Sequence, residues 1–429
     1  MKILILNNYL KKLYNNKLFK DSFVYIIADV INKGIPFLLL PILTYYLTPD
    51  DYGVLATFNS LIAILGTFIG LSIQGVVTVN FYKLNKRNFA QYIGNIIIIL
   101  IFSFLIVSII LYLFRGYFEN LIQIPYKWIV VASLLVVAIF IVTINLTLWI
   151  AEQQPKKYGI YQILETSLKF GLSLFFVIIL SMRWEGRVLG MFIGGFISAI
   201  ISLYLLYRRK FLDFTYNFDY IKDALKFGIP LIPHQLSFWL RSGAVIFLLV
   251  YLVGKKETGL YNVGAQLVVP LAVLNDAFNK AWAPFLYKKL SNNPSMQDKK
   301  KLVNFTYLYF FSILVLSLLL IFISPYIIEL ILNKKFYNSY IFIKFLAIAT
   351  AFRGMYLMVV NYIYYEKRTK ILAYITFGTS LFNVLFAYWL IKKIGAIGAA
   401  QAYMYAQALS FILVWFYSNK VYKMPWKIF

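Results

Sequence analysis

Apolar residues run in long stretches, and polar residues gather in short segments between them. The pattern predicts about twelve helices, near 22–48, 53–80, 90–113, 125–151, 158–181, 187–207, 225–252, 259–284, 302–324, 338–363, 370–391 and 396–418. A helix needs roughly 20 residues to cross ~30 Å of hydrocarbon, and these runs supply them. No connecting segment exceeds about 20 residues, so no extramembrane domain is expected.

The pattern repeats. Asp51-Tyr52-Gly53-Val54-Leu55 and Glu257-Thr258-Gly259-Leu260-Tyr261 each follow a first helix and open a second, 206 residues apart. Glu152 and Glu366, 214 residues apart, each begin the short segment after a fourth helix. Six helices per half is an even number, so the halves share one orientation. They are then related by a pseudo-two-fold axis along the membrane normal. The expected fold is an all-α integral membrane protein with a six-helix lobe at 1–216 and a second at 217–429.

Composition sharpens this. Of 429 residues 62% are hydrophobic, against about half in a soluble domain. The net charge of +26 does not mark a nucleic-acid binder, because the bases lie between apolar runs. There they act as orientation signals and lipid-headgroup contacts. With the N-terminus inside, 26 of the 42 Lys and Arg fall on the cytoplasmic side and 10 on the other. That bias puts both termini in the cytoplasm. Residues 1–20 carry five Lys and no long apolar run, so no cleavable signal peptide is expected there. Ile3, Leu6, Leu10, Leu13 and Leu18 recur at roughly helical spacing, which suits a helix lying on the membrane surface or a plain basic terminus. The chain has no Cys and a single His, His234. Neither a disulfide nor a multi-His metal site is available, and no Walker loop or nucleophile elbow occurs. The chain is therefore expected not to be an enzyme and to need no cofactor.

Six bases remain inside predicted spans: Lys33, Lys169, Arg241, Lys280, Lys344 and Arg353. Three acids accompany them: Asp29, Glu165 and Asp276. A cation near the bilayer centre costs roughly 2.5–3.5 kcal/mol on insertion-based scales. A net positive interior points to an anionic cargo. Asp29/Lys33, Glu165/Lys169 and Asp276/Lys280 have i,i+4 spacing, acid first, which puts each pair on one helix face. Two readings stay open for these pairs: neutralised structural contacts, or groups lining a cavity. Arg241 and Arg353 have no acid one turn away, and an Arg cannot shed its charge. Each must face water, another helix or the cargo. His234 shares a face with Arg241, seven residues on. The candidates to bind cargo are Lys33, Lys169, Arg241, Lys280 and Arg353. The candidates to couple transport to a proton or sodium ion are Asp29, Asp276 and His234. Pro36 and Pro41 interrupt the first helix, Pro230 and Pro233 the seventh, and Pro270 the eighth, which suits bending gates.

At this point the chain resembles a known family, the bacterial polysaccharide-unit flippases of the Wzx type. Their superfamily also holds multidrug/toxin-extrusion antiporters and peptidoglycan-lipid flippases. Leu47-Thr48-Pro49-Asp50-Asp51-Tyr52-Gly53 is similar to the family's segment after helix one. Gly228-Ile229-Pro230-Leu231-Ile232-Pro233-His234-Gln235-Leu236-Ser237, followed by Trp239, is similar to its seventh-helix opening. Gly259-Leu260-Tyr261 and Ala281-Trp282-Ala283-Pro284 resemble its eighth helix. Family members often carry an Asp-Arg pair soon after the Trp, where this chain has Arg241-Ser242-Gly243-Ala244. The resemblance implies transport of undecaprenyl-pyrophosphate-linked oligosaccharide across a bacterial cytoplasmic membrane, with membrane lipids as the other partners. The alternatives are an antiporter of the multidrug type, which calls for buried acids without excess base, and a peptidoglycan-lipid flippase with another cargo.

Overall fold

The computed structural model describes residues 17–427, apart from the side chains of 17–23, 25, 26, 29 and 33. The expected surface helix at the N-terminus lies outside the described residues, as do the side chains of Asp29 and Lys33. Every regular element among the described residues is helical. In chain order they are α1 (Lys17–Leu38), α2 (Leu40–Tyr46), α3 (Pro49–Gly70), α4 (Gln74–Lys83), α5 (Lys86–Leu113), α6 (Arg115–Ile122), α7 (Tyr126–Ala151), α8 (Pro155–Leu174) and α9 (Arg183–Arg208). There follow α10 (Phe218–Gly228), α11 (Ile232–Val253), α12 (Lys255–Ser291), α13 (Met296–Ile331), α14 (Tyr340–Tyr365), α15 (Thr369–Ile394) and α16 (Ile397–Val421).

Among the described residues, ten helical segments are long and apolar enough to cross a membrane. The other two predicted spans, 22–48 and 259–284, fall on α1–α2 and on α12. Charges at both ends of α12, with Asp276 and Lys280 between, lower its hydropathy. Large apolar side chains project outward along these helices, with Phe322 70% and Leu330 85% exposed. In water such a surface would aggregate; in lipid it is the solvated face.

Three predicted spans are not continuous. The first divides at Leu39, between Pro36 inside α1 and Pro41 inside α2. The second divides after Gly70, where Leu71 and Ser72 turn left-handed at φ 47° and 55°. The carbonyls freed there need partners, and Ser103 of α5 donates to Ile69 O at 2.5 Å. The seventh divides at the 3-10 turn Ile229–Leu231, where Pro230 cannot donate to a helical ladder.

Contacts group the chain into two compact units: residues 1–39, 61–119 and 124–233, and residues 40–60, 120–123 and 234–429. In the first, α8 packs on α9 along a stripe of small residues, Gly186, Gly190, Gly194, Ser198 and Ser202, spaced four apart. A side chain at Gly190 or Gly194 would strike the α8 backbone at Ser173 or Lys169. Small residues at this spacing let membrane helices approach closely. Tyr161 spans the same seam, donating to Ser198 O at 2.5 Å. In the second unit α14 packs on α16, and Ala347, Ala351, Ala399 and Ala402 are fully buried.

The repeat reappears as geometry. Glu152 and Glu366 are the C-caps of α7 and α14. Each is followed by a left-handed residue, Gln153 at φ 54° and Lys367 at φ 56°. Behind them run the same two backbone bonds, Gln154 N to Trp149 O (2.8 Å) with Gln153 N to Ile150 O (3.0 Å), and Arg368 N to Ile363 O with Lys367 N to Tyr364 O (both 3.1 Å). This is the Schellman arrangement, which satisfies the last free carbonyls of a helix. The second copy of the loop glycine behaves like the first. Gly53 lies against the carbonyl of Lys255, and Gly259 against the carbonyl of Pro49. Pro49 precedes Gly53 by the same four residues as Lys255 precedes Gly259, so the contact is reciprocal. A residue meeting its partner's equivalent in both directions is the signature of a local two-fold. The first copy is further fixed by a capping box. Thr48 N donates to Asp51 Oδ2 at 2.8 Å and Asp51 N to Thr48 Oγ1 at 3.2 Å.

Candidate substrate site

The second unit gathers most of the intramembrane charge. Arg241 stands on α11, Asp276 and Lys280 on α12, and Arg353 on α14. Arg353 Nη2 meets Asp276 Oδ1 at 2.6 Å, and both side chains keep 32% of their surface open. The acid of the expected Asp276/Lys280 pair thus takes a partner from a second helix. An ion pair of this length with both ends part-exposed fixes the Arg without hiding it. Lys280 is exposed one turn along.

Arg241 is held differently. Its Nε donates to Ser380 Oγ and its Nη2 to Thr376 O, both at 3.3 Å. Both partners are neutral and both lie on α15. The Arg241 carbonyl accepts from Asn383 Nδ2 at 2.8 Å. The guanidinium is therefore oriented by long hydrogen bonds, with its charge uncompensated by these partners. Tyr356 of α14 lies within electrostatic reach of both Arg241 and Arg353, and Tyr309 of α13 within reach of Arg353 and Asp276. Three bases and one carboxylate thus share one region of the unit. His234 is exposed at the start of α11, edge-on to Phe238 at 5.0 Å.

Beneath this cluster runs a seam of uncharged polar groups that sequence reasoning missed. Asn275 Nδ2 donates to Thr350 O and Tyr309 Oη to Asn275 Oδ1, each at 2.8 Å. Asn361 Nδ2 donates to Asn279 Oδ1 at 2.8 Å, and Tyr287 Oη to Asn361 Oδ1 at 3.1 Å. Trp282 Nε1 donates to Met358 O at 3.3 Å. Four of these bonds tie α12 to α14 over several turns and the Tyr309 bond adds α13, so Asp276 and Arg353 are carried on a rigid pair. Beside it, Phe278, Trp282, Phe285 and Phe305 line a cavity of about 560 Å³ between α12 and α13.

The other predicted cations lie elsewhere. Lys169 pairs with Glu165 one turn away on α8, with 18% and 12% of their side chains open. This pair belongs to the first unit, as do Asp29 and Lys33 by position. Lys344 is exposed and lies 4.9 Å over the Phe345 ring, as an interfacial residue does.

Three comparisons bear on this arrangement. A family model described as "Polysaccharide biosynthesis protein" matches residues 18–290. "Lsg locus putative protein 1" of Haemophilus influenzae is 28% identical over 83% of this chain and 87% of its own length. "Capsular polysaccharide biosynthesis protein CapF" of Staphylococcus aureus is 22% identical over 92% of this chain and 98% of its own. Among solved structures, the lipid II flippase MurJ in an inward closed conformation superposes with a TM-score of 0.72 at 15% identity, over 93% of this chain and 87% of that one. An inward-facing MATE family multidrug transporter gives 0.72 at 13% identity, over 92% and 93%. The fold is therefore the one these transporters share, and the multi-pass membrane reading holds. With residues 18–290 matched, the chain belongs to the polysaccharide biosynthesis protein family.

Proposed function

We propose that the chain carries undecaprenyl-pyrophosphate-linked oligosaccharide from the cytoplasmic to the outer leaflet of a bacterial inner membrane. The observation that carries this reading is the group of three bases in the second unit, Arg241 on α11, Lys280 on α12 and Arg353 on α14, with Arg353 bonded to Asp276 and Tyr356 near both arginines. A pyrophosphate needs convergent cations, and Arg presents planar donors that match phosphate oxygens. A multidrug antiporter would call for carboxylates in the same place. Lys33 and Lys169, from the first lobe, would meet the headgroup as it crosses. The lobes, 1–216 and 217–429, would rock about the repeat axis, exposing the cluster to each side in turn while the lipid tail stays in the bilayer. Asp29, Asp276 and His234 are the groups that could couple this to a proton or sodium gradient.

The test is flipping of a fluorescent lipid-linked oligosaccharide in vesicles carrying the purified protein. Flipping is expected with the protein and not without it, and a chain that moves only lipophilic cations would end the reading. Repeating the assay with a proton or a sodium gradient decides coupling. If neither gradient changes the rate, Asp29, Asp276 and His234 have no coupling role.

Orientation has its own test. With both termini cytoplasmic, the segment joining α9 to α10 faces inward. Asn217 is a poor place for a reporter, because its side chain caps α10 by accepting from Asp219 N and Tyr220 N at 3.0 and 3.3 Å. Tyr216 is 63% exposed. In this Cys-free chain Tyr216→Cys should react with a membrane-impermeant maleimide only after the cells are opened. Reaction in intact cells would reverse the orientation.

A further inference from the structure

The first unit holds a second concentration of positive charge. A cavity of about 710 Å³ opens between the start of α5, the end of α9 and the segment 209–217. Lys86, Arg87, Arg208 and Lys210 line it, with Tyr207, and Asp213 is the only acid among its lining residues. Its walls are built. Asp213 N donates to Ala90 O at 3.2 Å, Asn95 Nδ2 to Thr215 O at 3.0 Å, and Asn217 N to Asn95 Oδ1 at 3.0 Å. Arg209, next to the lining Arg208, is tied to Glu152 at 2.6 Å and to Asn145 at 3.0 Å. Its guanidinium lies 4.9 Å over the Phe211 ring. A ligand entering this site has little protein to order, which lowers the cost of binding.

Two further observations bear on what it takes. Lys86 and Arg87 open α5 behind the N-cap Asn85, so free backbone N–H groups and the helix dipole add to the side-chain charge. Exposed aromatics also lie at the site and in the segment that follows its lining residue Asp213, with Tyr207 at 73%, Phe214 at 55%, Tyr216 at 63% and Phe218 at 62%. Aromatic residues at the ends of membrane helices sit at headgroup level. The cavity is thus at the depth of lipid phosphates, and basic pockets there suit anionic headgroups. We propose that this cavity binds the phosphate headgroup of an anionic lipid. Arg87 and Arg208 hold the phosphate, and Tyr207 flanks the upper part of the tails. The inference rests on the chain being a membrane protein, not on its cargo.

Asp213 supplies a test of sign. Thr215 donates to its Oδ1 through Oγ1 at 2.6 Å and N at 3.0 Å, which holds the carboxyl below its usual pKa. At neutral pH it is a negative charge in the path of an anion. An Asn in its place keeps the acceptor and removes the charge. Lipid binding to the full-length protein in detergent is followed by native mass spectrometry. Phosphatidylglycerol is expected to bind more tightly than phosphatidylcholine. R87Q/R208Q should weaken the phosphatidylglycerol complex by roughly 5- to 30-fold, and D213N should tighten it ~2- to 5-fold, as one exposed charge contact allows. Equal binding of the two lipids would overturn the proposal. So would an unchanged R87Q/R208Q of wild-type melting temperature, or a weaker D213N. Displacement by inorganic diphosphate as effective as by phosphatidylglycerol would assign the site to a soluble anion and refute the lipid. Should R87Q/R208Q fail to fold, the D213N arm stands alone.

Discussion

Arg241→Ala and Arg353→Ala are each expected to reduce transport of lipid-linked oligosaccharide to background while the protein stays in the membrane. A hydrogen-bonded charge contact removed from a water-poor site costs roughly 2–5 kcal/mol, or about 30-fold and more in affinity. Export in cells and flipping in vesicles both read this. The two residues differ in what else they do. Arg241 is hydrogen-bonded to Ser380 and Thr376, so its loss strands no opposite charge among those partners. Arg353 holds Asp276 at 2.6 Å, so its loss removes a countercharge from a carboxylate in the membrane. The double variant Arg353→Ala/Asp276→Asn separates the roles. It should insert normally and remain inactive if Arg353 meets the cargo. Recovery of transport in the double variant would mean that Arg353 serves only to neutralise Asp276.

Gly259→Ala and Gly53→Ala should both lower the thermal unfolding temperature sharply, and to a similar extent. Overpacking costs about 1–3 kcal/mol, occasionally more, when side chains can yield. At these two positions the obstruction is backbone, the Pro49 carbonyl for Gly259 and the Lys255 carbonyl for Gly53. Gly378 gives the opposite expectation. It lies within α15, and nothing stands within 4 Å of where its side chain would point. Gly378→Ala should stabilise by ~0.5–1 kcal/mol through helix propensity alone. A tolerated Gly259→Ala, or a large difference between Gly53→Ala and Gly259→Ala, would remove the case for a reciprocal contact.

How much of this was legible in the sequence depended on which force set each feature. Span positions follow from the hydrocarbon thickness, a requirement that acts on every residue of a run, and ten of the twelve predicted ones coincide with long apolar helices among the described residues. Breaks inside spans were not all readable. Those near Pro36, Pro41 and Pro230 carry a covalent cause. The left-handed pair Leu71 and Ser72 carries none, since neither residue favours that conformation and tertiary packing supplies the reason. The repeat was readable because acid and glycine at a fixed spacing are rare enough to stand out. The charged candidates could be picked out residue by residue, because an ion in a bilayer is costly. The contact between helices was not legible: i,i+4 spacing relates residues of one helix, whereas Arg353 of α14 reaches Asp276 of α12. The seam of Asn275, Asn279, Tyr309 and Asn361 stayed hidden. In a chain with 35 Tyr, an uncharged polar residue announces nothing until its partner is seen.

The segment 209–217 has a consequence for anyone who divides the molecule. It lies where the sequence repeat predicts the junction and is rich in polar and basic residues, so it invites use as a cutting point for co-expressed halves or as a port for an inserted tag. Its bonds to Ala90 and Asn95 argue otherwise. The bare face of Gly94 receives the Asp213 carbonyl, and no spacer residue can slide into that fit. Severed there, the N-terminal piece keeps a vacant seat on α5, and the C-terminal piece starts with residues whose register was set by a helix it no longer follows. The bend Asn292–Ser295 between α12 and α13 is the better port, since Asn293 already turns left-handed there at φ 47° and the flanking Ser291 and Met296 are exposed.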